Sequence, residues 1–333
     1  MQMDQTTGAM EAFDVVGLGV ASVDELLWVQ AYPPADAKVP VLRRARSCGG
    51  LSATALVAAA RFGCRCAYAG ILGADEYSRF VLDCLAAKGV NTEYVRMFSG
   101  AMPVLSVIVL DEVHKTRTIL YDTAGIIGPE ADWLPAGLLR RAKVLLVDNF
   151  RMDLTVRAAR LARDCGVALV ADLDDISSPR FDELLRLVDH LILSSRVAEL
   201  LTGEADPAKA AMSLASPGRT VVVTCGADGA WYLQDGASRE PVHQPAFDVV
   251  AVDTNGCGDV FHGVYAAELA RGSDLPDRVR VAAAAAALSA TSPGGQEGIP
   301  DATSVARFLD RFSNSSSPPT RVMTGVCSDG AGR

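Results

Sequence analysis

The chain has 333 residues, with 31 Lys+Arg against 40 Asp+Glu and a formal net charge of -9. Half of it is hydrophobic and 21% is charged, the usage of a globular protein long enough for roughly two domains, or one large α/β domain with an appendage, and for a core that needs no disulfide staples. The acidic balance excludes a bulk electrostatic nucleic-acid binder, which carries a basic face, but not the capture of a small anion such as ATP, which backbone amides achieve without formal charge.

Met1 to Phe13 is polar and acidic, with no basic stretch leading into an apolar run, so no signal peptide is read there. Phe13–Val20 predicts a strand, Thr54–Phe62 a helix, Arg65–Ile71 a strand and Ser78–Lys88 a helix stopped by Gly89. Val144–Asp148 reads as a strand, Leu154–Cys165 as a helix stopped by Gly166, Val167–Asp172 as a strand and Arg180–Leu187 as a helix. His190–Leu193, Thr220–Thr224, Ala230–Leu233 and Phe247–Val252 read as strands, and Gly258–Arg271 and Arg278–Ala290 as helices. This alternation predicts an α/β fold with a doubly wound, mostly parallel sheet between helical layers.

Two stretches break the rhythm. Residues 26–47 show no helical period and contain Pro33-Pro34. Residues 104–122 alternate as Val104, Ser106, Ile108 and again as Thr116, Thr118, Leu120 around the turn Asp111-Glu112-Val113-His114, a hairpin pattern. Together they predict a small β lid inserted into a domain spanning 13–312. The Ser-, Pro- and Gly-rich residues 313–333 read as a disordered tail.

The longest apolar stretch, Val281–Leu288, is far shorter than the ~20 residues of a membrane helix. Eight scattered cysteines form no C-x-x-C pair, and the four histidines lie far apart, so reduced thiols in a cytoplasmic protein fit better than a zinc site.

The run Val252-Asp253-Thr254-Asn255-Gly256-Cys257-Gly258-Asp259-Val260-Phe261-His262-Gly263 concentrates the chemistry. Gly256 and Gly258 flank a small residue at a helix start, where unpaired amides and the helix dipole favour a phosphoryl group. Asp259 sits beside that anion position. Two readings stand on these residues alone: a phosphate-transfer loop with Asp259 as base, or a glycine turn in which Asp259 merely favours the dipole. For Asp253, capping the loop stands against touching a metal. Asp172 ends a strand on the side where α/β folds bind ligands, a place for a metal or phosphate contact.

The run resembles the D-T-x-G-x-G-D signature of the ribokinase-like (PfkB-type) sugar kinases. Gly17-Leu18-Gly19 with Asp24, Cys48-Gly49-Gly50-Leu51-Ser52-Ala53-Thr54, Gly70–Asp75, Leu200–Gly203, Thr224–Gly229 and Pro293-Gly294-Gly295 match the family's other motifs in order, from about Asp14 to Phe312. The resemblance implies ATP-dependent phosphorylation of a hydroxymethyl group on a ketose, pentose or related sugar, with Mg²⁺ bridging the phosphates. Asp259 would deprotonate the hydroxyl, and the amides of Gly256, Cys257 and Gly258 would hold the γ-phosphoryl group. Asp24, Gly49, Gly50 and Thr54 would contact the sugar, Thr224, Gly226, Gly229 and Asp253 the nucleotide, Asp172 the metal, and Val281–Ala290 would close beside the adenine. A lid of this type implies a homodimer, with neither nucleic acid nor membrane as partner.

The departures bear on the substrate. Thr54 stands where the family has Asn, the family's Asn-x-x-Glu falls on Ser194 to Val197 without its carboxylate, and Phe150 replaces a polar sugar contact. Within the family the chain is most similar to sulfofructose kinases, through Asp259–Gly263, Gln244–Phe247, Gly298–Asp301, Thr54 and a lid lysine at Lys38. Their other sulfonate contacts fall on Tyr121 and Phe150. A sulfofructose kinase, a nucleoside kinase of the same fold and a non-catalytic ligand-binding relative are the alternatives.

Overall fold

A computed structural model describes residues 12–114, 116–128, 134–234 and 240–314. Its central strands are apolar on both faces. In Ala142–Asp148, Val144 and Leu146 enter one core while Leu145 and Val147 enter another. In Phe13–Leu18, Val15 faces the first core and Val16 and Leu18 the second. Side chains alternate across a strand, so two apolar faces require a helical layer on each side. The helices Leu51–Arg61, Glu76–Ala87, Cys257–Arg271, Leu275–Ser289 and Ala302–Asn314 cover one face. Ala136–Leu139, Met152–Cys165, Phe181–Leu185, Ser195–Thr202 and Pro207–Ser213 cover the other.

The main sheet runs Val242–Gln244, Ala230–Leu233, Thr220–Thr224, His190–Ser194, Ala168–Asp172, Ala142–Asp148, Phe13–Leu18, Cys66–Tyr68, Val90–Asn91. All pairs are parallel except those made by Ala230–Leu233, antiparallel to both neighbours. The strand order reverses between Phe13–Leu18 and Ala142–Asp148. A four-stranded sheet, Arg43–Gly49, Ser22–Val29, Val104–Asp111 and Thr116–Asp122 in that order, leaves the main sheet at its carboxyl edge.

Several expectations change. Phe247–Val252 is not a strand: it runs irregularly, with Val250 86% and Val252 63% exposed. Phe247 is drawn to the rings of Phe308 and Phe312, and the amides of Val252 and Asp253 donate to the Ala290 carbonyl, so a helix end takes the place of a strand partner. Arg65–Ile71 divides into Cys66–Tyr68 in the main sheet and Ile71–Leu72, which pairs with Arg96–Met97 in a separate ribbon. The aperiodic stretch 26–47 contains parts of two strands joined by an exposed loop. The unread helix Ala302–Asn314 takes in the first two residues of the expected tail, and the rest of that tail, 315–333, lies outside the described residues.

Seven of the eight cysteines are free thiols, and Cys327 lies outside the described residues. No helix among the described residues is long and apolar enough to cross a membrane.

Candidate active site

In open α/β sheets ligands bind beyond the carboxyl ends of the strands, where the strand order reverses. Here Asp148 and Asp172 end neighbouring strands at that edge, and the chain leaving Leu18 enters the small sheet at Ser22. Register puts Ser47, Asp24, Ser106 and Tyr121 in one cross-strand row. Asp24 is buried, and its Oδ1 accepts a hydrogen bond from Ser22 Oγ at 2.9 Å. Burial raises its carboxyl above the ordinary range, while hydrogen bonds from Ser22 and Ser106 act in the opposite direction. A Cβ at Gly49 would fall 2.3 Å from Asp24 Oδ2, so only glycine leaves room for that carboxylate. Gly50, at φ 95°, caps the helix Leu51–Arg61.

Thr54 lies near the start of the same helix, buried, and its Oγ1 accepts from Gln296 Nε2 at 3.2 Å. Gln296 Oε1 in turn accepts from Lys88 Nζ at 2.8 Å. Thr54 therefore retains a hydroxyl proton to donate, and a buried glutamine from the loop after Pro293-Gly294-Gly295 stands behind it.

Asp253 anchors the glycine loop. Its Oδ1 accepts from the Asn255 amide at 2.9 Å and its Oδ2 from the Gly294 amide at 3.1 Å, two bonds that tie the loop to the segment after Pro293. Gly256 is left-handed at φ 76° and precedes the helix Cys257–Arg271 without providing a side-chain cap. The first-turn amides of such a helix have no intrahelical acceptor. The Cys257 amide turns weakly toward the Thr254 carbonyl at 3.4 Å. Further along the helix a Cβ at Gly263 would lie 2.0 Å from the Ala55 carbonyl, so this glycine lets the helix close against Leu51–Arg61.

Asp259 sits on the first turn. Burial raises its carboxyl well above the ordinary value, and Asp172, Asp174, Asp24 and Asp148 reinforce the shift. Asp148 is fully buried and pushed up to about 8, although its oxygens accept from the amides of Val20 and Phe150. Asp172 is also raised by burial. Its Oδ2 lies 3.2 Å from His262 Nδ1 but makes no hydrogen bond, because that nitrogen faces the Gly258 carbonyl at 2.8 Å. His262 Nε2 faces the Ile192 carbonyl at 3.1 Å, so this residue is tied to the backbone.

On the far side, Thr224 Oγ1 donates to the Leu193 carbonyl at 3.3 Å. Gly226 and Gly229 both have positive φ, and a Cβ at Gly229 would strike the Gln244 carbonyl at 2.1 Å. Ser194 caps Ser195–Thr202, Val197 is in the core, and Glu199 is exposed, so no carboxylate replaces the one absent at position 197. Lys38 is exposed in the loop between two strands of the small sheet. Phe150 lines a pocket with Tyr68, Ile71, Met102, Ile127 and Arg151. The wall of this pocket at Ala21 backs onto Gly50.

The sequence pattern did not single out Ser106, Gln296 or Arg117, whose Nη1 donates to Thr254 Oγ1 at 3.1 Å. Ser106 was within reach, since the hairpin alternation already placed it. The other two come from tertiary crossings that local pattern does not record.

Residues 19–302 match the family described as pfkB family carbohydrate kinase. The chain is 29% identical over 279 residues to a ribokinase of Haemophilus influenzae, covering 79% of this chain and 87% of the relative. It is 30% identical over 267 residues to a ribokinase of Bacillus subtilis, covering 78% and 87%. The fold is that of the Arabidopsis thaliana ribokinase, with a TM-score of 0.80, 23% identity, and coverage of 90% of this chain and 99% of that one.

Proposed function

The chain belongs to the pfkB family of carbohydrate kinases, and from that premise we propose that it transfers the γ-phosphoryl group of ATP to a hydroxymethyl group of a pentose, ketose or related sugar, with Asp259 as general base. That it is an ATP-dependent sugar kinase follows from its family and its ribokinase relatives. The observation that carries the finer reading is a partly buried carboxyl, raised above its usual range, on the first turn of a helix whose start has no side-chain cap. A base with a raised pKa accepts a proton more strongly.

In this reading Asp24, with Gly49, Gly50 and Thr54, orients the sugar so that one hydroxyl reaches Asp259. As the new O–P bond forms, the hydroxyl proton passes to the Asp259 carboxylate and ADP departs. The amides of Gly256, Cys257 and Gly258 face the charge on the transferring group. Positioning provides most of the rate. Thr224, Gly226, Gly229 and the Asp253-anchored loop border the nucleotide.

Mg²⁺ in such kinases is held chiefly by nucleotide phosphates and waters, and needs only one or two protein carboxylates. Asp172 fits, since its Oδ2 is buried without a hydrogen-bond partner, and Asp174 lies two residues on, partly buried. No group of three potential metal-ligating side chains occurs among the described residues. When bound, the ion neutralises phosphate charge.

Sulfofructose is the less favoured acceptor. Lys38 is exposed, and Tyr121 and Phe150 bring no charge to the other two sulfonate positions.

The test is ADP release by the wild type with a panel of aldopentoses, ketoses, sugar acids, sulfofructose and nucleosides. Release that depends on one sugar class supports the proposal, and release independent of every acceptor refutes it.

A homodimer through the small sheet is part of the same reading. Its outer face carries the cross-strand pair Val107 and Leu120, 36% and 55% exposed. Light scattering should give a mass of two chains, and a single-chain mass at all concentrations would remove the idea.

The free thiols support a reducing, cytoplasmic setting.

A further inference from the structure

The face of the small sheet that carries Asp24, Ser106 and Tyr121 also carries a cation. Ser106 pairs with Tyr121, Ile108 with Ile119 and Leu110 with Arg117, and side chains two apart along a strand share a face. Arg117 Nη1 donates to Thr254 Oγ1 at 3.1 Å and lies 3.8 Å from Asp253 Oδ1. A guanidinium from the small sheet therefore crosses to the main domain two residues ahead of Gly256. Its charge reaches the start of the following helix: burial pushes the Cys257 thiol up, and Arg117 acts against that rise.

The side chains around this point are mostly acidic. Asp24, Asp148, Asp172 and Asp174 all act on Asp259, and Asp253 lies at the loop's entrance. Phosphoryl transfer through so acidic a site needs donors and positive charge aimed at the moving group. Arg117 is not required to satisfy Asp253, which already accepts from two backbone amides. Its side chain is 37% exposed, so a short swing from Thr254 costs no buried packing. Guanidinium geometry also suits phosphate oxygens.

We propose that Arg117 donates to the oxygens of the transferring phosphoryl group, so that the small sheet brings a catalytic cation as it seats over the sugar. This rests on the reading that residues 256–258 hold that group. It makes sugar enclosure and charge stabilisation one event, since Asp24 and Arg117 ride on the same four strands.

The test is calorimetric titration with ADP plus aluminium fluoride, a mimic of the moving phosphoryl group, against ADP alone, in the presence of Mg²⁺. Losing a charge-assisted hydrogen bond should cost Arg117→Ala about 10- to 100-fold in affinity for the mimic, with less than about twofold change for ADP. Arg117→Lys should recover part of the loss. Thr254→Val, which removes the resting hydrogen bond and keeps the charge, should cost less than about threefold.

An Arg117→Ala protein that binds the mimic as tightly as the wild type would overturn the proposal. So would an equal loss in Thr254→Val, which would make Arg117 a latch alone. A wild type that binds the mimic no more tightly than ADP would instead refute the anion-loop reading, and this inference with it.

Discussion

Alanine at position 256 is expected to lower kcat about 10²- to 10³-fold, the loss seen when a pre-aimed oxyanion donor is misplaced. Gly256 is left-handed at φ 76°, and its ideal Cβ would lie 2.9 Å from the Gly295 carbonyl oxygen. Both obstacles are backbone, so a side chain cannot rotate out of the way. Either the loop holding Gly294 and Gly295 retreats or the helix start turns. In both cases the Asp253 carboxylate, which holds Asn255 on one side and Gly294 on the other, loses one of its partners. The conformational strain costs about 1–3 kcal/mol, which should appear as a modest fall in Tm. Steady-state kinetics and a thermal melt on one preparation separate the two effects. A kcat within threefold of the wild type would mean that the 256–258 amides are not the anion site.

The architecture was legible because it repeats a simple rule. Val144 to Val147 alternate between two cores, as do Val15 and Val16, and an apolar run closed by a Gly-containing turn was enough to predict a doubly wound sheet. The glycine loop was legible for a different reason. Gly256 and Gly263 occupy positions where a Cβ would meet backbone, so residue type and geometry coincide there.

Phe247–Val252 misled because its composition is that of a strand, whereas its partners are Phe308, Phe312 and the Ala290 carbonyl, all distant in sequence. Pro207–Ser213 went unread although Asp206 caps it and a proline opens it, a start signal that the short helix behind it did not amplify. The support of Thr54 by Gln296 and Lys88 spans 242 and 208 residues of chain. The free oxygen of Asp172 depends on which acceptor His262 faces. Such facts arise only when helices and loops are docked.

Asn in place of Asp259 is expected to have the largest effect on turnover, a fall in kcat of about 10³-fold or more, near the upper range for removal of a general base. The change keeps shape and polarity and removes only the capacity to take a proton, so ATP affinity should persist. If anything it should rise slightly, since a negative charge beside an anion site is lost.

The sign of the pH dependence follows from the environment. Burial and the neighbouring carboxylates raise the Asp259 carboxyl, and a base works only when deprotonated. Activity should therefore rise with pH along an acid limb displaced above the ordinary carboxylate range of about 4. The pH profile of kcat/KM for sugar-dependent ADP release, measured for the wild type and Asp259→Asn with the best acceptor, tests this most directly. The prediction is a displaced acid limb in the wild type, with residual turnover in the variant near a thousandth of that value and without the limb. Turnover in Asp259→Asn within tenfold of the wild type, or an unchanged limb, would contradict it.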